Sequence, residues 1–440
     1  MKRVLMVAEK FPPFNVSGSA RPFYFAKYLP EFGYAPTVLG ATVPPGEPRD
    51  ESLLRELPEQ VRVLRSPRIV NPAAEMISSM VRRKRAGKGT EGEPTGSGLN
   101  QGIRLGGGVQ YLRWWLHWEV DWAAPATLRA MLGLRRAVPE LVWASGPHFR
   151  SYEIGRRIAR WLRVPLVIDM RDPWTYGSLW RPRTHQIARA EYARAVRTLR
   201  AADRVVFTSP LTQRAMKMRF PDLSTEGWLT ITNGYDDTPV EPLRDAGDDR
   251  CVFRYVGMLN ARRTPDVLID AFAQAARDPE FRASATLEIV GSAGGHEDKA
   301  ARAPGCDVRF RGRVSRADSL RYMFGSDANI LLQTISEGHD VISGKAFDYL
   351  HANKPIVAVV DASGGDAWLV RETQSGVIAP YTDVAAIADA LRKVWVSWRS
   401  GSSRALGRAS ADFSRRALTS RLAATFDEIL GGRSPAERSD

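Results

Sequence analysis

Lys345 and Asp348 stand three residues apart in DVISGKAFDYLHANKPIVAV, residues 340–359, and a cation and a carboxylate at that spacing can hold two parts of one polar ligand. Gly344 permits the backbone entry, Ala346, Phe347, Tyr349 and Leu350 give a helical apolar face, Asn353 is a helix stop, and Pro355 opens the apolar run Ile356 to Val360. The unit predicted is loop, helix, tight turn and buried strand. A helix N-terminus reinforced by Lys345 suits a phosphate, and Asp348, one turn on, suits a hydroxyl-rich group. A solvated i,i+3 ion pair worth about 0.2–0.5 kcal/mol is the competing interpretation, and from this segment alone the two stand level.

Other residues of the same chemistry recur after apolar runs. FRYVGMLNARRTPDVLIDAF places Gly257 at a strand end and Arg262 and Arg263 before a proline-started helix, where forked donors and the helix dipole add into an anion site. LEIVGSAGG puts Gly291 and then Gly294-Gly295 after another strand. KFPPFNVSGSARPF follows the first strand, with Gly18 and Ser19 expected in the loop before a helix beginning near Arg21-Pro22. The spacing is not G-x-G-x-x-G, which disfavours dinucleotide binding. An exposed arginine pair and structural loop glycines remain the plain alternatives.

The elements that must position these residues alternate along the chain. Strand candidates are Val4 to Ala8, Thr37 to Leu39, Val61 to Leu64, Leu141 to Ala144, Leu166 to Ile168, Arg204 to Thr208 and Leu229 to Thr232. A second series comprises Phe253 to Val256, Thr286 to Val290, Asp307 to Phe310, Ala328 to Gln333, Ile356 to Val360 and Gly376 to Ile378. Amphipathic stretches such as Ala20 to Phe32, Tyr152 to Leu162, Thr184 to Ala201, Pro265 to Ala276 and Asp383 to Trp395 lie between them. Such alternation predicts βαβ units and parallel sheets. Two series predict two doubly wound α/β domains, separated in the polar stretch Thr232 to Arg250. The segment 81–108 is Gly-rich and charged and is expected to be a mobile surface loop. VQYLRWWLHWEVDW follows it, and its tryptophans suit either a membrane interface or an ordinary packed helix face.

At 440 residues the chain is long enough for two cores, and 44% apolar with 25% charged residues is globular composition. No run of about eighteen apolar residues exists to span a bilayer, and MKRVLMVAEKFPP reads as a first strand and not as a signal peptide. Cys251 and Cys306 are the only cysteines, far apart, which argues against a disulfide framework or zinc site and for a cytoplasmic location. The formal charge of +14 favours an anionic partner, whether nucleic acid, acidic membrane or phosphorylated small molecule.

Taken in order, FPPFNVSGS, VPLVIDMRDPW, ITNGYDD, YVGMLNARRTPDVLIDAF and SGKAFDYLHANKPIVAV resemble retaining glycosyltransferases of the GT-B fold, most nearly the bacterial family 4 type, over nearly the whole chain. The resemblance implies two Rossmann-like domains facing across a cleft. Residues 1–235 would bind the acceptor, 236–250 link, 251–407 bind the nucleotide sugar, and 408–440 form a final helix crossing back, with a tail. It places Gly18, Ser19, Gly257, Arg262, Arg263, Gly291, Lys345 and Asp348 at the donor, with Arg263 in the place of the family's phosphate-binding lysine. The companion arginine position is Met258 here, so Arg262 substitutes for it.

The family's two glutamates correspond to Asp340 and Asp348, each one methylene shorter, with Glu337 a rival for the first. Asp348 would take the ribose, and Asp340 or Glu337 the donor sugar. His148, near the place of the family's catalytic histidine, and Asp172 complete the catalytic candidates. A loop histidine and a capping aspartate are their structural alternatives.

No metal or other cofactor is expected, since no D-x-D motif occurs and arginine, lysine and loop amides would stabilise the leaving diphosphate. The activity implied is hexosyl transfer from a UDP- or GDP-sugar to a cell-envelope, polysaccharide or lipid-linked hydroxyl, in the cytoplasm or peripherally on an anionic membrane. A soluble natural-product acceptor and a nucleotide-sugar epimerase are the alternatives. Nucleic-acid binding ranks low, because no RNP, helix-turn-helix or zinc signature accompanies the charge.

Overall fold

The computed structural model describes residues 1–69, 111, 114–115, 118–135, 137–146, 149–177, 180, 182, 184–244, 249–333, 338–402 and 408–432. The expected mobile loop at 81–108, and the site candidates His148 and Glu337, lie outside these residues. The chain divides into two compact units, one of Met1–Val206, Phe220–Leu229 and Ala423–Asp440, the other of Phe207–Arg219 and Thr230–Leu422.

The first sheet has seven strands in the order β3-β2-β1-β4-β5-β6-β7. They are β1 (Lys2–Ala8), β2 (Tyr34–Ala41), β3 (Arg62–Ser66), β4 (Leu141–Ser145), β5 (Leu166–Met170), β6 (Arg204–Phe207) and β7 (Trp228–Thr230). The second sheet has six, ordered β10-β9-β8-β11-β12-β13. These are β8 (Cys251–Val256), β9 (Ala285–Val290), β10 (Val308–Gly312), β11 (Ala328–Leu332), β12 (Ile356–Val360) and β13 (Gly376–Pro380). Central strands pair in parallel, as in the registers Val4 with Leu141 and Cys251 with Ala285. All thirteen expected apolar runs are strands. The runs are continuous and not alternating because both faces of each sheet are covered; every residue of β8, β9, β11 and β12 is buried.

The helices that matter for the site are α1 (Ser17–Tyr28), α2 (Arg150–Leu162), α3 (His185–Arg200), α4 (Asp266–Ala275), α5 (Arg316–Phe324), α6 (Gly344–Ala352), α7 (Gly365–Glu372) and α8 (Val384–Arg399). In each sheet the strand order reverses beside the first strand of its series, between β1 and β4 and between β8 and β11. Ligands of open parallel sheets bind at that reversal, outside the carboxyl ends.

One boundary differs from expectation. Helix α1 begins at Ser17, so Gly18 and Ser19 lie in its first turn, not in a loop ahead of it, and Pro22 sits inside the helix. Proline 22 has no N–H for the Gly18 carbonyl, and Arg171 Nη1 donates to that oxygen instead at 2.5 Å. Of the described residues in the aromatic segment, Trp118 and Trp122 are buried and Trp114 Nε1 donates to Glu191 on α3 at 3.1 Å, while Trp115 is exposed. The Arg194 guanidinium lies 5.0 Å from the Trp114 ring and 4.9 Å from that of Trp118. Trp114 and Trp118 are thus packed side chains capped by a cation.

Candidate functional site

In the second unit, the carboxyl ends of β8 and β9 and the start of α6 meet at contact distance. Gly257 leaves β8 with φ +154° and Gly291 leaves β9 with φ +128°. A Cβ on Gly291 would lie 2.1 Å from the Gly257 carbonyl oxygen, and one on Gly257 would lie 2.3 Å from Lys345 Nζ. Both dihedrals favour glycine; at Gly291 the neighbour is backbone that cannot yield, whereas at Gly257 it is the movable end of a side chain. The Lys345 ammonium donates to the Tyr255 hydroxyl at 3.1 Å and sits 4.5 Å from that ring's centroid.

Helix α6 is held in this place from below. The buried Tyr349 hydroxyl accepts from Val256 N–H at 3.1 Å, tying the helix to the last residue of β8 one turn beneath Lys345. Burial raises the Tyr349 phenol well above its usual pKa, so it stays a neutral hydrogen-bonding group. Asn353 ends the helix at φ +51°, the left-handed stop its type predicts.

Arg263 is half-buried and Arg262 exposed at the turn before α4. The Asn260 side-chain oxygen accepts from both backbone N–H groups, at 2.8 Å from Arg262 and 3.0 Å from Arg263, and so fixes the turn. The positive charge of Arg263 is felt at both Tyr349 and Asp366. Arg263 Nη1 also donates to the carbonyl of Met258, the residue after Gly257, at 3.4 Å, so Gly257, Gly291, Lys345 and Arg263 are brought together around one sheet edge.

Asp348 is buried, and its Oδ1 accepts from Arg316 Nη2, at the start of α5, at 2.8 Å. Lys345 turns to Tyr255 and Asp348 to Arg316, so these two residues of α6 have separate structural partners. Asp340 is half-buried, and its backbone carbonyl accepts from Thr212 at 3.0 Å.

In the first unit, Ser19 is buried with its hydroxyl on the Val16 carbonyl at 2.7 Å, and Gly18 presents its carbonyl to Arg171. Asp172 is half-buried, with its charge acting on Arg171 and Tyr152. Around the β1 and β4 ends lies a depression lined by Glu9, Lys10, Gly18, Ser145 and Ser151. Beneath it, Asp169 is wholly buried and accepts from Arg21 Nη2 at 2.7 Å and Ser145 Oγ at 2.7 Å. Glu9 is buried and receives Arg150 Nη2 at 3.1 Å, and Arg150 also donates to Asp121 at 2.6 Å.

Sequence reasoning passed over Tyr255, Tyr349, Arg316, Asp366, Glu9 and Asp169. For Asp169 and Glu9 a signal existed, since an acid inside or just after the apolar runs PLVIDM and VLMVAE must be paired once buried.

Residues 250–396 match the family model described as Glycosyl transferases group 1. No curated protein matches the sequence. Fold and family match together define the class: the protein is a glycosyltransferase with the GT-B fold. Among similar solved structures is a sucrose-phosphate synthase from Thermosynechococcus elongatus, at TM-score 0.61 and 15% identity, covering 98% of this chain and 100% of that one. The α,α-trehalose-phosphate synthase (UDP-forming) from Burkholderia vietnamiensis gives 0.61 and 14%, covering 98% and 100%. Anabaena HepE, solved in complex with UDP-glucose, gives 0.57 and 15%, covering 97% and 100%. At these identities the likeness is one of fold. Among the described residues, no helix is long and apolar enough to cross a membrane.

Proposed function

We propose that the protein is a retaining, family 4 type glycosyltransferase that moves a hexosyl unit from a UDP- or GDP-sugar to a hydroxyl of a cell-envelope, polysaccharide or lipid-linked acceptor. The observation that carries this reading is the meeting of Lys345, Gly257 and Gly291 at the strand-order reversal of the second sheet, with Arg263 beside them. Bare backbone at two glycines lets a diphosphate approach, and the cation and the α6 N-terminus stabilise its charge. Asp348 takes the ribose and Asp340 the donor sugar, Gly18 and Ser19 keep the donor-diphosphate role that the resemblance implies, and Asp172 serves the acceptor.

In the reaction the bond from the anomeric carbon to the diphosphate oxygen breaks as the acceptor oxygen bonds to that carbon from the same face. The acceptor proton passes to the departing diphosphate. Charge grows on the leaving group, so prepositioned Lys345 and Arg263, with Arg262 supporting, lower the barrier without asking a divalent ion of the chain. The UDP-glucose bound to a protein of similar fold supports testing UDP-sugars first.

Thermal unfolding with UDP, GDP, ADP and their sugars tests the donor, since a ligand at about a hundredfold its Kd adds about 2.7 kcal/mol. NMR of the product's anomeric proton tests retention. Stabilisation by none of the nucleotides removes the donor assignment, and an inverted product removes the retaining mechanism.

A further inference from the structure

The N-cap Gly364 and the first two residues of α7, Gly365 and Asp366, grip the segment that leads into α6. The buried Asp366 Oδ1 accepts from Ser343 N–H at 2.8 Å, immediately before the first residue of α6. Gly365 N–H donates to the His339 carbonyl at 2.9 Å. A Cβ on Gly365 would lie 2.6 Å from the Val341 carbonyl oxygen, so the two backbones are in direct contact. The His339 ring and Asp361, joined at 2.8 Å, close the other side of the turn. Ser343 has no side-chain cap of its own onto α6, so the Asp366 carboxylate supplies an anchor that the local sequence does not.

Resting on the donor reading above, we propose that Asp366 is a positioning residue for glycosyl transfer: through the N–H of Ser343 it fixes the start of α6 and so sets where Lys345 meets the donor diphosphate. The carboxyl is also electrically coupled to that site. Burial raises its pKa to about 6, opposed by the hydrogen bonds from Ser343 and by the charges of Lys345 and Arg263. Among the described residues, His339 and Asp361, which line the same depression, and Lys345 and Arg263, whose charges act on it, are the charged or titratable groups around Asp366. A bound diphosphate neutralises Lys345 and Arg263, which raises the carboxyl's proton affinity further. By linkage, binding then weakens as pH rises through about 6.

Calorimetric titration of the full chain with UDP and GDP across about pH 5 to 8 tests this, with wild type, Asp366→Asn and Asp366→Ala. Asparagine keeps the acceptor for Ser343 but does not titrate. Asp366→Ala is expected to bind at least about tenfold more weakly than wild type. Asp366→Asn is expected to bind within about threefold near pH 7, and the ratio of wild-type to Asp366→Asn affinity should fall as pH rises through about 6, a comparison in which the nucleotide's own titration cancels.

If Asp366→Ala binds within twofold of wild type, or if Asp366→Asn keeps a pH profile parallel to wild type, the proposal is overturned. Should Asp366→Ala fail to fold, the Asp366→Asn profile decides alone. A wild-type protein that binds neither nucleotide instead defeats the donor reading on which the proposal rests.

Discussion

Gly257 and Gly291 are adjacent, yet a methyl group on each should do different harm. At Gly257 the added Cβ would meet Lys345 Nζ at 2.3 Å and the Tyr255 hydroxyl at 3.2 Å. The ammonium ends a flexible side chain and can leave, so the fold cost is mainly the dihedral at φ +154°, about 1–3 kcal/mol. The functional cost is the displaced cation. A charge-assisted hydrogen bond is worth about 1.5–3 kcal/mol, which is roughly tenfold to a hundredfold in Kd for the nucleoside diphosphate.

At Gly291 the Cβ would lie 2.1 Å from the Gly257 carbonyl oxygen and 2.8 Å from its carbon, and backbone cannot step aside as a side chain can. Strain and overpacking together should cost roughly 3–5 kcal/mol. Urea unfolding and UDP calorimetry on both variants separate the two effects. Gly257→Ala should retain most of its stability and lose binding, whereas Gly291→Ala should lose stability outright. A Gly257→Ala protein that binds UDP like wild type, or a Gly291→Ala protein as stable as wild type, refutes this account of how the loops and Lys345 share space.

Three further outcomes are expected. Glu288 is fully buried in β9 and pairs with Arg254 at 2.5 Å and Arg311 at 2.7 Å, so Glu288→Ala strands a buried guanidinium and should lower unfolding free energy by about 3–5 kcal/mol in urea. Arg316 is largely exposed, so Arg316→Ala should change stability by less than about 1 kcal/mol, while Asp348→Ala should weaken UDP at least roughly tenfold; equal UDP affinity in Asp348→Ala and wild type would take the ribose from Asp348. The folded Asp366 carboxyl, at about 6 against an ordinary 3.8, holds its proton more tightly than the unfolded chain does. Its stabilising contribution is therefore complete below about pH 4 and lost by about pH 6, and the stability of wild type minus that of Asp366→Asn should fall over that window; a flat difference in urea midpoints contradicts the shift.

The sheets were legible because their strands are buried on both faces and need mainly apolar composition, which survives in single-sequence inspection at Phe253–Val256 as at Ile356–Val360. Helix α6 was legible for the same local reasons, a glycine entry and an asparagine stop. The start of α1 was not, because a proline six residues in looks like a first-turn marker until Arg171 is seen at Gly18. Nor was the anchoring of Lys345. Tyr349 read as an apolar-face residue, although its hydroxyl binds Val256 N–H across 93 residues of sequence. Arg316 and Asp348, 32 residues apart, meet only because α5 packs beside α6. Residue spacing reports neighbours on one element, while the partners of buried polar groups come from other elements.

The bond from Arg171 to Gly18 has a meaning for how the first unit assembles. Its two residues are 153 positions apart, and the carbonyl it satisfies is one that Pro22 leaves open inside the same helix. The opening turn of α1 thus belongs to the finished sheet and not to its own peptide. Excised from the chain, residues 11–32 should fray from Ser17 to Arg21, and during refolding amide protection of that turn should lag behind the rest of α1 until β5 has joined β4. An element that looks local in the sequence is, at its first turn, among the most non-local in this unit.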